Sequence, residues 1–260
     1  MTTSPTSPLP DRAAPSVRAT RKAARFTSRY FYAGVGVLAL LFTLAGFSGT
    51  YLIPVSTGTF AGRMIHHVHG SVYFLWLVFV IVQPILVRSH KIRIHKRLGY
   101  LGFVLAMGMV IVGITLAVSS ARLKVLSGAD VFETKSFLIL PFTDMFFFAT
   151  FIGLALLHLS DGAAHKRLMV LATLAILPPA FGRMFPLLGM TEFTPANILV
   201  ALLLQQSILF LGMLHDRLTT KKIHPVYLWG GISMLVIHLT RIPLGNTRLW
   251  QSMAGGLAGL

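Results

Sequence analysis

The sequence contains no cysteine and only seven acidic residues among its 260. Without cysteine the chain cannot form a disulfide, and metal centres held by thiolates are excluded. The scarcity of acids leaves few candidates for hydrolysis by paired carboxylates. No phosphate-binding GxxxxGK[ST] loop, no GxSxG motif and no HExxH motif is present. Charged residues make up 12% of the chain, about half of the share that is usual for a soluble domain.

Positive charge is abundant, because 23 Lys and Arg residues give the chain a formal net charge of +16. These residues stand between long apolar segments, where the determinants of membrane topology belong. No basic face is left once the apolar segments are set aside, so nucleic acid is not an expected partner. The expected partner is the lipid bilayer, and other membrane proteins are a further candidate.

Seven apolar segments of 17 to 24 residues follow one another along the chain. Each is long enough to cross a hydrocarbon core of ~30 Å at 1.5 Å per residue. The sequence therefore predicts an all-α bundle of about seven transmembrane helices. The predicted spans are 30–53, 68–87, 99–118, 137–158, 168–188, 196–214 and 226–242.

The distribution of Lys and Arg predicts the orientation of these spans. With the N-terminus in the cytoplasm, 16 of the 23 basic residues fall on the inner side. The positive-inside rule then places the C-terminus outside. The predicted domain organisation is a disordered basic cytoplasmic tail at 1–29, a transmembrane domain at 30–243 and a short flexible C-terminal tail at 244–260.

A short motif recurs at the predicted inner turns. His95-Lys96-Arg97-Leu98 precedes the third span, His165-Lys166-Arg167-Leu168 the fifth, and His224-Pro225 the seventh. This recurrence predicts one leading helix followed by three related helical hairpins, as in parallel repeats of membrane proteins. The histidines His95, His165 and His224 are either a metal site or basic anchors at the membrane edge.

Ionisable residues inside a span are costly and are therefore functional candidates. Asp144 lies ~10 Å from the outer edge, and Arg183 lies ~8 Å from the same edge, at 1.5 Å per residue. Because these depths agree, the sequence predicts an ion pair between Asp144 and Arg183. The alternative to a catalytic role is a structural pair that joins two helices.

Several histidines fall at a similar predicted depth. His66 and His69 stand at the mouth of the second span with a spacing of three, and His238 lies in the outer half of the seventh. Imidazole and carboxylate groups are ligands of transition metals, and imidazole is an axial ligand of haem. The candidate metal ligands are therefore His66, His69, Asp144 and His238. The candidate ligands of a b-type haem are His69 and His238, and hydrated interfacial histidines are the alternative.

Polar residues recur along one side of the second span, and two glutamines lie near the middle of the sixth. These residues either line a path through the bundle or form hydrogen bonds between helices. They are His69, Tyr73, Trp76 and Gln83 in the second span and Gln205 and Gln206 in the sixth.

Several of these motifs together resemble a group of uncharacterised bacterial polytopic membrane proteins. The resemblance covers roughly residues 60–230 and rests on the residues listed here: His67-Val68-His69-Gly70, Trp76, Gln83, His95-Lys96-Arg97-Leu98-Gly99, His165-Lys166-Arg167-Leu168-Met169, Pro179, Arg183 and His224-Pro225. It implies a location in the bacterial inner membrane and supplies no mechanism. The paired histidines near helix ends are also loosely similar to cytochrome b561-like haem proteins.

Three functions are compatible with the sequence. The leading hypothesis is a haem- or metal-binding redox protein, in which Asp144 is a ligand or proton acceptor and Arg183 binds an anionic group. The second is a proton-coupled transporter of a small solute, in which Asp144 and the histidines relay protons. The third is a non-catalytic scaffold in a membrane complex.

Overall fold

The computed structural model describes the backbone of residues 15–190 and 195–260, and side chains from Tyr30 onward except those of 188 and 191–196. All regular structure in these ranges is helical. The first half contains α1 (Pro15–Phe47), continued by a π-helical turn (Ser48–Leu52), α2 (Ile53–Ser56), α3 (Met64–Arg88), α4 (Ile92–Leu126) and α5 (Val131–Leu157). The second half contains α6 (Gly162–Ala175), α7 (Pro178–Arg183), a 3-10 turn (Pro186–Leu188), α8 (Pro195–Thr220), α9 (Pro225–Gly245) and α10 (Arg248–Ala258).

The prediction of an all-α membrane bundle is confirmed. Six continuous helical segments of the described chain are long and apolar enough to cross a membrane. They are Tyr30–Ser56, Met64–Arg88, Ile92–Leu126, Val131–Leu157, Asn197–Thr220 and Pro225–Gly245. We call the end of the bundle where α4 meets α5 the outer end, following the charge prediction, and the end where α3 meets α4 the inner end.

The fifth predicted span, 168–188, is interrupted. It consists of α6 and the short α7, separated by Ile176 and Leu177. Pro178 and Pro179 have no backbone N–H, so the carbonyl groups four residues earlier lose their helical donors. The α6–α7 segment still crosses the bundle beside α8 in the antiparallel direction. Arg167 of α6 pairs with Asp216, and Leu174 farther along bonds Gln205, which lies earlier in α8.

Gln205 donates a hydrogen bond to the backbone carbonyl group that Pro178 leaves without its helical donor. The Leu174 carbonyl oxygen, four residues before Pro178, accepts hydrogen bonds from the Gln205 side chain at 2.8 Å and from the Leu177 N–H at 3.2 Å. Gln205 is buried, whereas its neighbour Gln206 is only half-buried. The predicted polar path through Gln205 is therefore a contact between helices at this point.

We expect Gln205→Leu to lower the free energy of unfolding by about 1–2 kcal/mol, because it removes the side-chain donor to a buried carbonyl. Gln206→Leu is the matched control and should change stability little. The measurement is unfolding by titration with SDS in mixed micelles. Equal losses in the two variants would contradict the role of Gln205.

Packing places α6 in the middle of the bundle. Almost every residue of α6 from Leu168 to Ala175 is buried, which is the pattern of a helix enclosed on all sides. It packs against α5, α9, α1 and α8. On one side of this centre α3 packs against α1 and α4, and on the other α9 packs against α5, α6 and α8.

The two predicted tails differ from the structure. Residues 1–14 lie outside the described residues, and α1 begins at Pro15, within the predicted disordered tail. Residues 244–260, predicted to be a flexible tail, contain α10 instead. This helix packs on α5 and α4, with a small core formed by Ala121, Leu138, Ala254 and Ala258.

Candidate functional site

A buried carboxylate in α5 is the centre of the candidate site. Asp144 is 3% exposed, and its Oδ1 accepts a hydrogen bond from Arg241 Nη1 at 2.8 Å. The Nε2 atom of His238 lies 3.8 Å from the same oxygen. His238 and Arg241 are three residues apart on α9, which places both on one side of that helix. The site therefore joins α5 to α9 inside the membrane-spanning region.

Close packing of α5 and α9 fixes this geometry. Gly245 lies so near α5 that an added Cβ would stand 2.7 Å from the Ser136 carbonyl oxygen. The ring of Phe147 approaches His238 edge-on, with centroids 6.4 Å apart. These contacts hold the imidazole beside the carboxylate in an apolar environment, where electrostatic interactions are strong.

The Nε2 nitrogen of the His238 ring has no hydrogen-bond partner in the described structure. This atom is buried, and its distance of 3.8 Å from Asp144 Oδ1 is beyond hydrogen-bonding distance. A buried polar atom without a partner is costly. This atom is therefore the place in the site where a proton or a ligand would restore a hydrogen bond.

The predicted ion pair between Asp144 and Arg183 is wrong, because the partner of Asp144 is Arg241. Arg183 ends α7 and donates from Nη1 to the Pro179 carbonyl oxygen at 3.0 Å. Its guanidinium also lies over the ring of Phe47, 4.6 Å from the centroid. The predicted depth of Arg183 matched that of Asp144, but which cation meets the carboxylate depends on which side of each helix faces α5.

The predicted metal ligands His66, His69, Asp144 and His238 do not form one site. Within the described ranges, no three His, Asp or Glu side chains are grouped closely enough to hold a metal ion. The physical reason is that α3 carries the first two histidines, while Asp144 and His238 meet at the α5–α9 contact. The two candidate haem ligands, His69 and His238, are thus on helices with different packing neighbours.

The histidines at the start of α3 have local partners. His66 Nδ1 accepts a hydrogen bond from the Arg63 N–H at 3.0 Å and so caps the helix. His67 Nδ1 is 2.9 Å from the Tyr51 hydroxyl. His69 stacks on Tyr73, with ring centroids 4.0 Å apart.

The polar stripe of α3 makes contacts with neighbouring helices. The Tyr73 hydroxyl donates to the Met109 carbonyl oxygen at 3.2 Å, and Trp76 Nε1 donates to Thr173 Oγ1 at 3.3 Å. Gln83 is different, since both polar atoms of its buried side chain lack a partner in the described structure. Most of the stripe therefore joins α3 to α4 and α6.

At the inner end, two of the three predicted histidines cap or bind backbone groups. His224 Nδ1 accepts from the Val226 N–H at 3.3 Å and starts α9, and His165 Nδ1 donates to the Ala155 carbonyl oxygen at 2.9 Å. Burial, helped by the charge of Arg167, lowers the pKa of His224 and favours its neutral form. These contacts support the interpretation of structural anchors.

Asp161 caps the N-terminus of α6. Its Oδ1 accepts from the N–H groups of Ala163 and Ala164 at 2.9 Å and 3.1 Å. Because the bond from Ala164 favours the ionised carboxylate, the pKa of Asp161 is lowered. This cap fixes the start of the interrupted span.

Sequence reasoning missed the most completely bonded charge pair of the bundle. Arg167 and Asp216 are both buried and joined by two hydrogen bonds, one of them from Arg167 Nε to Oδ2 at 2.8 Å. Arg167 also donates to the Ala163 carbonyl oxygen at 2.6 Å, and the His224 N–H donates to Asp216 at 3.1 Å. In the sequence Arg167 resembles the exposed cations of the inner turns. The only signal for the pair was Asp216, an acid at the same predicted edge of the membrane.

The fold and the buried charges define a polytopic α-helical membrane protein. No protein-family model matches the chain, and no match was found among curated proteins or solved structures. Its function has to be inferred from the contacts of the Asp144 site.

Proposed function

We propose that this protein is a proton-coupled membrane carrier of a small solute, and that Asp144, His238 and Arg241 form its proton site. The observation that carries this proposal is the unpartnered His238 Nε2, 3.8 Å from a buried carboxylate that Arg241 already neutralises. Ionisable groups buried in a membrane bundle mark proton relays and ion pathways.

The charges of the site leave room for one proton. Asp144 and Arg241 together are neutral, so the site is balanced while His238 is neutral. A proton on His238 Nε2 would create a donor facing Asp144 Oδ1, and a small movement would close the 3.8 Å gap to a charge-assisted hydrogen bond. Loss of the proton would reopen it, so proton binding is coupled to the contact between the His238 and Asp144 side chains.

The buried pair at the inner end provides a contrast. Arg167 and Asp216 are also buried, but Arg167 makes three hydrogen bonds and the Asp216 carboxylate accepts one more from the backbone of His224. The Asp216 carboxylate thus accepts three hydrogen bonds from protein groups, whereas among the described residues Asp144 accepts one, from Arg241. This difference supports assigning proton transfer to the Asp144 site and a structural role to Arg167–Asp216.

Polar residues of α3 lie in the half of that helix nearer the outer end, where the ring of Tyr73 stacks on His69 with centroids 4.0 Å apart. Arg183 ends the short α7 of the interrupted span. Interrupted helices in membrane carriers commonly lie at the binding site, which supports transport over a passive scaffold.

We expect Asp144→Asn to abolish proton movement or slow it by about tenfold or more, because the neutral amide lacks the negative charge that stabilises a protonated imidazole. The measurement uses proteoliposomes with a pH-sensitive dye inside, to which citrate, a carboxylate that does not cross the bilayer unaided, is added. Glu133→Gln is the matched control, since Glu133 is an exposed acid on the same helix.

Proton movement that is unchanged in Asp144→Asn would contradict the proposal. So would a reduced-minus-oxidised visible spectrum with Soret and α-bands that His238→Ala or His69→Ala removes. That spectrum would favour the redox hypothesis, which stays a prediction. The bacterial inner membrane and the cytoplasmic N-terminus are likewise predictions that the proposal adopts.

A further inference from the structure

The C-terminal helix α10 lies across the outer ends of two spans. Trp250 Nε1 donates to the Lys135 carbonyl oxygen of α5 at 2.8 Å, and near the other end of α10 the Ala258 carbonyl oxygen accepts from Arg122 of α4. Thr247 caps the helix start, and Gly259, with a φ of 62°, ends it. The helix thus has defined ends and a fixed contact with the bundle.

One side of α10 is apolar but is not covered by the protein. Leu249, Met253 and Leu257 are 73%, 51% and 52% exposed. Their spacing of four places them on a single stripe. Each exposed residue is followed directly by a residue that packs on the bundle, namely Trp250, Ala254 or Ala258. The covered stripe and the exposed stripe therefore lie side by side. Together they form an apolar arc of about 180° on a helix whose other side carries polar residues and glycines.

The outer end of the bundle exposes further apolar side chains. Leu123 and Leu126 near the end of α4 and Phe132 at the start of α5 are exposed. The Phe132 carbonyl lies 3.3 Å from Gln251 Nε2, so this phenylalanine belongs to the same end of the bundle as α10. An apolar stripe at an end of a membrane bundle that exposes other apolar side chains has the bilayer as its simplest cover.

Charged residues locate α10 at the depth of the membrane interface. Arg122, Lys124, Asp130, Glu133 and Lys135 all lie on the ends of α4 and α5 and the turn between them, beside α10. Basic side chains at this level favour lipid headgroups, while an apolar face favours the boundary with the acyl chains.

We propose that α10 is an interfacial helix that inserts Leu249, Met253 and Leu257 into the phospholipid bilayer at the outer end of the bundle. This inference does not depend on proton transport. It assigns the last helix to a lipid-binding surface, with its polar side toward water and its packed side on α4 and α5.

The chain has no cysteine, so a single engineered cysteine can report on each side of α10. Met253→Cys carries an environment-sensitive NBD fluorophore on the exposed stripe, and Ser252→Cys carries it one residue away on the polar side. Both proteins are reconstituted in nanodiscs of phosphatidylcholine and phosphatidylglycerol. We expect blue-shifted emission at position 253 and severalfold stronger quenching by a nitroxide-labelled lipid than at position 252, with the opposite order for aqueous iodide.

Equal iodide quenching at the two positions would overturn the proposal, because the stripe would then face water. A blue-shifted fluorophore that neither quencher reaches would also overturn it, since a second protein copy would then cover the stripe. Leu257→Cys repeats the measurement if Met253→Cys does not give a monodisperse protein.

Discussion

Replacing Asp216 with alanine is expected to lower the free energy of unfolding by about 3–5 kcal/mol, because it leaves the buried charge of Arg167 without its partner. The guanidinium is enclosed between α6 and α8, and the described partners that remain are the Ala163 carbonyl and the ring of Tyr227, 5.8 Å away. The backbone N–H of His224 also loses its acceptor. The measurement is unfolding by titration with SDS in mixed micelles.

The double variant Arg167→Met/Asp216→Leu tests whether the loss comes from an uncompensated charge. Two apolar residues of similar size should recover most of the stability, because an intact buried pair contributes little net stability over apolar packing. Asp161→Ala is the control for removing an acid at the same end of the bundle, and the loss of its helix cap should cost only about 1 kcal/mol. A loss in Asp216→Ala no larger than in Asp161→Ala would contradict the predicted effect.

Six of the seven predicted spans are continuous helices, and their approximate positions could be predicted because each of them is a local property of the sequence. A run of about 20 apolar residues has to form a helix in lipid whatever its neighbours are. The interruption at Ile176 and Leu177 was harder to predict from the sequence. Two adjacent prolines signal a break or a kink, but which one forms depends on donors elsewhere, and Gln205 lies 31 positions from the Leu174 carbonyl that it satisfies.

Depth within the membrane could be predicted only in part for the candidate site, and partners could not. Counting residues predicted Asp144 in the outer half of its span, whereas it is the middle residue of α5 (Val131–Leu157). His238 lies beyond the middle of α9, toward the outer end, as predicted. Arg241 could have been found from its spacing, because it is three residues from His238 and so lies on the same side of α9. Whether that side faces α5 depends on the rotation of the helices, which their packing against several neighbours sets.

Helix α10 was missed because its length and polarity exclude a membrane span. The signal that could have found it is the spacing of Leu249, Met253 and Leu257, together with the cap residues Thr247 and Gly259. An 11-residue amphipathic helix has marginal stability alone. Its formation depends on packing against α4 and α5, which the sequence of the helix itself does not contain.

A second large effect is expected where α1 meets the interrupted span. An added Cβ at Gly46 would overlap the Ala180 carbonyl oxygen, which belongs to the backbone of α7 and cannot rotate away. We expect Gly46→Ala to cost about 1–3 kcal/mol of stability, since the helices must separate to admit one methyl group. The separation would also remove Arg183 from the ring of Phe47.

Gly34→Ala is a control on the same helix, because nothing lies within 4 Å of the Cβ that it would add. Alanine has a higher helix propensity than glycine, by about 1 kcal/mol in an exposed helix, so this variant should be neutral or more stable. The two substitutions are chemically identical, and opposite signs of their stability changes in an SDS titration can only come from the surroundings of each glycine. If both variants were equally stable, α1 would not approach α7 as closely as the structure places it, and the position of Arg183 at the end of the interrupted span would lose its support.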